Sequence, residues 1–325
     1  MDEKIAIRVE GLTRYYGNLL AVDHINFQVQ RGEIFGFLGP NGAGKTTTIR
    51  MLVGLIRPSE GSAWVNGYDV EGEPLAVKAS VGVVPERSNL YDELSCYDNL
   101  QFMGQLYGVP RKERRAGAEA LLRQFRLWDR RDERFAHLSR GLRRRLTIAA
   151  ALIHAPPLLF LDELTVGLDV ISARALRQQI KELKQQGVTI FLTTHLIAEA
   201  EALCDRVAIL VEGRLKALDT PASLRDVAQE QEVVEIGLTR MDQGTVEALK
   251  GCPGVQEVYE TQAGIRIHLV EMATALPEVI GCLEALKVPI RSLNTIKPTL
   301  EDAFVALTGL DAEVMLLEKE NRGRR

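Results

Sequence analysis

The segment best equipped for chemistry is the glycine-rich stretch Gly39–Thr46, which reads GPNGAGKT. It fits the pattern G-x-x-x-x-G-K-[ST], in which glycines let successive backbone N–H groups point at one phosphate. The helix that follows adds partial positive charge at its N-terminus. Lys45 can then reach the terminal phosphates, and the Thr46 hydroxyl can ligate Mg²⁺. The apolar run Glu33–Leu38 predicts a strand before the loop, and Thr46–Leu55 predicts a helix after it.

Two adjacent carboxylates, Asp162 and Glu163, follow the apolar run Leu158–Leu161. An Asp at the carboxyl end of a parallel strand beside a phosphate loop is placed to hold Mg²⁺. The neighbouring Glu163 could orient or deprotonate an attacking water. Taken alone, such a pair is more often a solvated strand end. The phosphate loop upstream favours the functional interpretation.

Two further segments are candidates for contacting an anion. Ser139 precedes the helix-forming run Leu142–Ile153 and is a good N-cap, so the helix N-terminus could bind an anion, although capping alone is the simpler explanation. His195 follows the predicted strand Thr189–Leu192. A single histidine in that position is more often a surface or packing residue. Only the presence of the phosphate loop and the carboxylate pair earlier in the sequence indicates a functional role.

Composition limits the partners. The 325 residues are 46% hydrophobic and 26% charged, with a formal net charge of −4, which is typical of a globular protein and predicts no nucleic-acid partner. The N-terminus lacks the pattern of a signal peptide, and no apolar run approaches the ~20 residues that span a bilayer. Any membrane role therefore requires a separate membrane-embedded partner. The four cysteines are scattered, which favours free thiols.

The elements that would position these residues alternate between strand and helix, which predicts an α/β core. Antiparallel strands are expected at Ile5–Val9 and Ile25–Val29, and a second strand pair at Gly61–Tyr68 and Ser80–Val84. A basic, helical segment extends from Tyr97 to Ala155. Further elements are expected at Ile171–Gln186 and Ile197–Leu203 (helices), and at Arg206–Val211 and Leu215–Ala217 (strands). The expected domains are 1–228, with a helical subdomain at about 87–155, then 229–310 and a charged tail at 311–325.

The C-terminal region predicts a small α+β domain. Its expected strands are Glu232–Leu238, Val255–Tyr259, Ile265–Leu269 and Ile290–Ile296, and its helices Gly244–Lys250 and Thr274–Leu286. The order βαββαβ is that of a ferredoxin-like unit. A last helix should begin after Thr299 as N-cap, with Asp302 facing the helix start. No catalytic residue is expected here, because this stretch has no Gly-rich loop and no cluster of metal-ligating residues.

Taken in order and spacing, these residues resemble the ATP-binding cassette (ABC) ATPases over roughly Ile5 to Leu224. Gly39–Thr46 resembles the Walker A loop of that family, Asp162 its Walker B aspartate and Glu163 its catalytic glutamate. Leu138–Leu142 is similar to the signature motif, Val166–Asp169 to the D-loop and His195 to the switch histidine. Tyr16 is similar to the aromatic residue that stacks on adenine.

The resemblance implies binding and hydrolysis of ATP with Mg²⁺. The implied catalytic residues are Glu163, His195 and Lys45, and the implied metal ligands are Thr46, Glu86 and Asp162. The implied nucleotide-binding residues are Tyr16, Gly39, Pro40, Asn41, Gly42, Ala43, Gly44, Lys45, Thr46, Thr47, Ser139 and Gly141. It also implies a head-to-tail homodimer, a polytopic membrane permease as partner, and a peripheral position on the cytoplasmic face of the membrane.

Several positions depart from the usual family pattern. The signature reads Leu-Ser-Arg-Gly-Leu, and its Arg140 and Leu142 resemble the variant of bacterial drug and polysaccharide exporter cassettes. Glu86 stands where the family usually has Gln, and Leu164 where Pro often follows the glutamate. The C-terminal stretch from Pro298 onward also resembles the ending of exporter cassettes.

Other interpretations stay open at this point. The basic stretch Arg111–Arg145 is either a solvated helical face or a surface that meets anionic headgroups. The rival functions are a soluble ABC protein of translation or DNA repair and an ATP-dependent switch that no longer hydrolyses. The resemblance covers one cassette, whereas translation-type members usually carry two, and the sequence shows no heptad repeat of the coiled coil typical of repair-type members. The presence of Glu163 and His195 disfavours a switch that no longer hydrolyses ATP.

Overall fold

The computed structural model describes residues 4–227, 232–239, 243–261, 264–296 and 299–310. Its described residues form two compact units, one ending at Pro221 and the other beginning at Ala222. This division falls earlier than the predicted boundary between residues 228 and 229. The predicted tail at 311–325 lies outside the described residues.

The first unit contains ten strands and most of the helices among the residues described. Its strands are β1 (Ile5–Tyr16), β2 (Leu19–Gln30), β3 (Ile34–Leu38), β4 (Glu60–Val65), β5 (Tyr68–Asp69), β6 (Val81–Val84), β7 (Leu158–Asp162), β8 (Thr189–Thr194), β9 (Arg206–Val211) and β10 (Arg214–Asp219). Its helices are α1 (Lys45–Leu52), α2 (Pro74–Ser80), α3 (Cys96–Leu106), α4 (Arg111–Gln124), α5 (Arg140–Ala151), α6 (Val170–Gln185) and α7 (Ile197–Leu203), followed by α8 (Pro221–Val227) at the division. Short 3₁₀ helices occupy Trp128–Arg130 and Phe135–His137.

The core sheet has the strand order β10-β9-β3-β8-β7-β6, with only β10 antiparallel to its neighbour. Every residue of β3, β7 and β8 is buried, as expected for parallel strands covered on both faces. Register pairs Leu38 with Thr194 and Asp162 with Thr193. The carboxyl ends of three central strands therefore meet at one edge, which brings the phosphate loop, the carboxylates and His195 together.

A second sheet has the order β2-β1-β4-β5 and is antiparallel throughout. It confirms the predicted antiparallel strands Ile5–Val9 and Ile25–Val29 as parts of longer strands, with Val9 opposite Phe27. The predicted pairing of Gly61–Tyr68 with Ser80–Val84 is wrong. The first segment turns at Asn66 into two short strands of this sheet, whereas β6 joins the core sheet beside β7.

The two segments join different sheets because different faces of each strand are buried. β4 pairs with β1, whose alternating side chains cover one side of the core, while β6 is a short apolar strand that fits a parallel sheet edge. Helix α2, which the sequence pattern did not predict, connects them. Phenylalanine rings join the two sheets: Phe27 of β2 stacks on Phe35 of β3 at 5.5 Å between centroids and also contacts Phe191 of β8 at 6.1 Å.

The second unit contains α8 in part, and then β11 (Glu232–Leu238), α9 (Gln243–Lys250), β12 (Val255–Thr261), β13 (Gly264–Leu269), α10 (Met272–Ala285), β14 (Ile290–Ile296) and α11 (Leu300–Thr308). The four strands form an antiparallel sheet of order β12-β13-β11-β14. The described elements follow the predicted order βαββαβ. Strand residues such as Ile236 and Ile267 pack with Val279 and Leu283 of α10 in a core of their own. Thr299 and Asp302 form the predicted capping box.

Candidate nucleotide site

The Gly39–Thr46 loop connects β3 to α1, as the sequence predicts. Gly44 has a φ of 103°, and a Cβ at that position would lie 2.5 Å from the carbonyl oxygen of Ala21. A Cβ at Gly39 would lie 2.1 Å from the carbonyl oxygen of Leu210. Only glycine fits either position without moving backbone. Because α1 begins at Lys45, the N–H groups of its first turn have no intrahelical acceptor and are available to an anion.

A chain of charged contacts joins the loop to the ends of two core strands. The Lys45 ammonium lies 3.2 Å from Oε1 of Glu163, and Nδ1 of His195 lies 2.8 Å from Oε2 of the same carboxylate. All three side chains are buried. Lys45 also donates hydrogen bonds to the carbonyl oxygens of Gly39 and Pro40 at 2.6 and 3.1 Å. The structure therefore brings Glu163 into direct contact with the other two predicted catalytic residues, Lys45 and His195.

The pKa values of this array follow from burial and neighbouring charge. Burial lowers the pKa of Lys45, and the Glu163 carboxylate opposes that shift. Burial also acts to raise the pKa of Glu163, but the contacts with His195 and Lys45 outweigh it and leave this pKa below its ordinary value. Glu163 is therefore ionised at neutral pH, as a proton acceptor must be.

The oxygen atoms suited to Mg²⁺ lie beside this array. The Thr46 hydroxyl is 3.0 Å from Oδ2 and 3.2 Å from Oδ1 of Asp162, and the Thr193 hydroxyl donates a hydrogen bond to Oδ1 at 2.5 Å. Hydroxyl and carboxylate oxygens are the donors that Mg²⁺ prefers. The side chains present at this point thus fit the ion that the resemblance implies.

A cavity of about 340 Å³ opens over the phosphate loop. Its wall includes Lys45 and Thr46. It also includes nine other residues predicted to bind nucleotide or metal or to act in catalysis: Tyr16, Pro40, Asn41, Gly42, Gly44, Thr47, Glu86, Glu163 and His195. Leu19, Ala21, Arg50 and Val166 complete the wall and were not predicted. Three predicted residues are not in the wall. Gly39 and Ala43 belong to the phosphate loop itself, and Asp162, at the end of β7, contacts the Thr46 hydroxyl.

Ser139 and Gly141, also predicted to bind nucleotide, do not line this cavity. Ser139 caps α5, where its hydroxyl accepts from the N–H of Leu142 at 3.4 Å. Arg140 donates to the carbonyl oxygen of Gly167 at 3.0 Å, and a Cβ at Gly141 would lie 2.8 Å from Oγ of Ser172. The signature segment is therefore held against the start of α6, away from the phosphate loop of its own chain.

Sequence reasoning missed Arg144, which it placed in a solvated or headgroup-facing basic stretch. This side chain is only 8% exposed. Its guanidinium donates to the carbonyl oxygens of Leu164, Asp162 and Glu163 at 3.0, 2.6 and 3.0 Å, and also to that of Pro85. Arg144 thus fixes the backbone that carries both carboxylates. Its apolar neighbours Leu146 to Ala151 on a buried helix were the available signal.

The backbone of Glu163 is itself unusual, with a φ of 51° in the left-handed region. A non-glycine residue there is strained by about 1–3 kcal/mol. The hydrogen bonds from Arg144 to the carbonyls of Asp162 and Glu163, with the Glu163 N–H bonded to Thr193, hold this conformation. In this conformation the Glu163 carboxylate contacts both Lys45 and His195.

Comparisons with known proteins agree with these features. Residues 22–166 match the family described as ABC transporter. The chain is 32% identical over 305 residues to the linearmycin resistance ATP-binding protein of Bacillus subtilis, covering 93% of this chain and 98% of that one. It is 37% identical over 310 residues to Nod factor export ATP-binding protein I of Rhizobium sp. strain N33, covering 95% and 99%.

A solved structure gives the same fold. It is a dimeric ATP-binding cassette in a post-hydrolysis state, bound to ADP and phosphate, with a TM-score of 0.60 and 25% identity. The match covers 66% of this chain and 98% of that one. Among the residues that the structure describes, no helix is both long and apolar enough to cross a membrane.

Proposed function

We propose, on the premise that this chain belongs to the ATP-binding cassette family of ABC transporter ATPases, that it hydrolyses ATP to power export through a separate membrane subunit. The observation that carries the proposal is the contact chain Lys45–Glu163–His195 at the wall of the cavity over the phosphate loop. Relatives named for Nod factor export and drug resistance support the direction of transport.

In this proposal each polar side chain has a separate task. Lys45 and the first-turn N–H groups of α1 hold the phosphates of the substrate ATP. Thr46, Asp162 and Glu86 would hold Mg²⁺, which when bound offsets the negative charge of the phosphates. Glu163 accepts a proton from the attacking water, and His195 orients the Glu163 carboxylate through Nδ1.

The shared contact between Lys45 and Glu163 suggests how substrate activates the base. The Lys45 ammonium lies 3.2 Å from the carboxylate and lowers its pKa. A phosphate that draws Lys45 away removes that stabilisation of the charged form, and so raises the proton affinity of Glu163. Binding of ATP thereby makes Glu163 a stronger base at the moment when water must be deprotonated.

A head-to-tail dimer is the second part of the proposal. Ser139 and Gly141 lie away from the phosphate loop of their own chain, so they are free to contact nucleotide held by a second copy. Val170 and Ile171, which follow the D-loop, are 79% and 82% exposed. Two adjacent apolar side chains with such exposure fit an interface between copies, and a relative of known structure is dimeric.

The third part concerns the membrane partner, for which we propose a polytopic permease. An apolar groove of about 330 Å³ lies between the core sheet and the helical segment, lined by residues that include Leu55, Val83, Met103 and Tyr107. Leu55 is 61% exposed, and such a contiguous apolar surface marks a protein interface. A short helix of the permease would fill this groove and place the chain on the cytoplasmic face of the membrane.

One experiment tests both the activity and the partnership. The full chain is co-expressed with its candidate permease, purified from detergent-solubilised membranes and assayed for ATPase activity. Leu55→Asp should abolish co-purification yet leave the ATPase activity of the isolated chain. Val270→Asp, at a position 58% exposed in the second unit, is the matched control and should co-purify normally. A wild-type chain that purifies with no polytopic membrane protein would contradict the transport role.

We further propose that the second unit, which the sequence placed at 229–310, extends the dimer contact or regulates it. The support is its separate core and its lack of any described residue in the nucleotide cavity. Removal of this unit should leave ATP affinity unchanged and weaken ATP-dependent dimerisation in size exclusion. Loss of ATP affinity in a truncated chain that remains folded would show instead that the unit supports the nucleotide site.

A further inference from the structure

An open groove of about 870 Å³ lies within the helical segment, separate from the nucleotide cavity. Its walls come from the start of α3, the first three turns of α4 and the residues around the 3₁₀ helix Trp128–Arg130. Six of its lining residues define what is called here the basic groove: Tyr97, Arg111, Lys112, Arg115, Trp128 and Arg131.

The charges in the basic groove do not balance. Two carboxylates also line it, but Glu119 pairs with Arg123 at 2.9 Å and Asp132 pairs with Arg131 at 3.4 Å. Arg111, Lys112 and Arg115 have no ion pair within 4.0 Å among the described residues. Three exposed cations therefore face one groove without an ion-pair partner among the described residues.

The arrangement of these cations does not stabilise the helix that carries them. The three cations lie in the first two turns of α4, where the helix dipole favours negative charge and disfavours positive charge. Arg111 and Arg115 are also like charges at i and i+4, which repel. Since the chain as a whole has a net charge of −4, the local concentration of cations is not a consequence of overall composition. An anion in the groove would relieve this repulsion.

Aromatic side chains give the basic groove a second character. The guanidinium groups of Arg123 and Arg131 lie over the ring of Trp128, at 4.4 and 4.9 Å from its centroid. These contacts orient the ring beside the cations, and Tyr97 adds a second half-buried ring. Tryptophan and tyrosine are typical of the boundary between lipid and water, where one part of the ring is apolar and another is polar.

We propose that the basic groove binds the headgroups of anionic phospholipids, so that the helical segment contacts the membrane surface directly. Arg111, Lys112 and Arg115 contact the phosphate oxygens, while Trp128 and Tyr97 lie at the level of the headgroups. This binding requires neither ATP hydrolysis nor a permease and is additional to the proposed transport function.

The test is sedimentation of the full chain with vesicles of phosphatidylcholine, with and without phosphatidylglycerol. Each cation beside an anionic surface contributes about a five-fold factor in affinity. The triple variant Arg111→Gln, Lys112→Gln, Arg115→Gln should therefore bind phosphatidylglycerol vesicles about 100-fold more weakly than wild type. The control neutralises three exposed lysines elsewhere, Lys181, Lys216 and Lys250, and should bind like wild type.

A second measurement, the fluorescence emission of Trp128, reports on the basic groove directly. Trp64→Phe leaves Trp128 as the only tryptophan, so its emission should shift to shorter wavelength with phosphatidylglycerol vesicles and not with phosphatidylcholine alone. ATP affinity and ATPase activity, measured in parallel, should be unchanged in the triple variant, which separates failure of this proposal from failure of the proposed function.

Three outcomes would overturn the proposal. The first is no binding of the wild-type chain to phosphatidylglycerol vesicles, and the second is an equal loss of binding in the triple variant and its lysine control. The third is that inorganic phosphate releases the chain from phosphatidylglycerol vesicles more effectively than chloride does at equal ionic strength. That result would identify a site for a free phosphate anion.

Discussion

Replacing Arg144 with methionine should both destabilise the fold and slow catalysis. Methionine replaces the unbranched part of the arginine side chain as far as Nε and carries no donor, so it keeps much of the packing while removing every side-chain hydrogen bond. The guanidinium donates to four backbone carbonyls, those of Pro85, Asp162, Glu163 and Leu164, and it is 8% exposed. Burial lowers its pKa to about 10, so it is still charged at neutral pH.

The size of the effect follows from those four carbonyls. Each buried acceptor left without its donor costs about 1–3 kcal/mol. Local relaxation and entry of water reduce the sum, and we expect a loss of about 3–5 kcal/mol in the free energy of unfolding. That is a large part of the ~5–15 kcal/mol typical of a folded domain. Arg144→Lys should recover only part of it, because an ammonium cannot match the geometry of the guanidinium.

The catalytic effect follows from the strained backbone of Glu163. Without Arg144, the carbonyls of Asp162 and Glu163 lose the donor that holds the positive φ, and the carboxylate is less well placed to act as base. We expect kcat to fall by about 10- to 100-fold with little change in the KM for ATP, as for loss of an interaction that acts on the chemical step.

The measurements are urea unfolding and steady-state ATPase kinetics on the purified chain. Arg145→Met is the control, since Arg145 is the next residue of α5 and only half-buried. It should cost less than about 1 kcal/mol, within the range of substitutions away from buried networks. If Arg144→Met is no more destabilising than Arg145→Met, or leaves kcat at the wild-type value, the guanidinium does not support the site as reasoned.

Three further predictions concern single side chains. Glu163→Gln should keep ATP affinity and slow turnover by orders of magnitude, with ATP-bound dimer accumulating in size exclusion; unchanged ATPase activity would remove Glu163 from its role. Glu86→Gln should retain ATPase activity with equal or tighter MgATP affinity, because one negative charge near the phosphates is removed. A large rise in the KM for ATP would show that the Glu86 carboxylate is required to hold Mg²⁺. Burial lowers the pKa of His154 below its ordinary value of 6.5, so the unfolded chain binds more protons and stability should fall as the pH drops below 6.5. The melting temperature of His154→Gln should depend less on pH in that window than that of the wild type; identical pH profiles would exclude this contribution.

The sequence alone determined the parts of this protein that depend on neighbouring residues along the chain. The phosphate loop, the strand that ends in Asp162 and Glu163, and the capping box of Thr299 and Asp302 each follow from local patterns with a local physical cause. Long apolar runs likewise predicted the buried parallel strands, because a strand covered on both faces has no polar side. His195 was identified because it follows the other motifs in the order in which they occur in the ABC ATPases.

Tertiary structure decided which distant segments meet. The strand Val81–Val84 was identified correctly but assigned to the wrong partner, because a short apolar strand fits either sheet and pairing depends on what covers its faces. Arg144 looked like one member of a basic run, since charge patterning cannot show that four backbone carbonyls at the ends of β6 and β7 converge on one guanidinium. Arg111, Lys112 and Arg115 belong to the same run, and only the packing of α4 against neighbouring segments leaves them unpaired at a groove while Arg144 is buried. Local sequence specifies elements and their ends, whereas contacts between distant segments arise only when the whole core is packed.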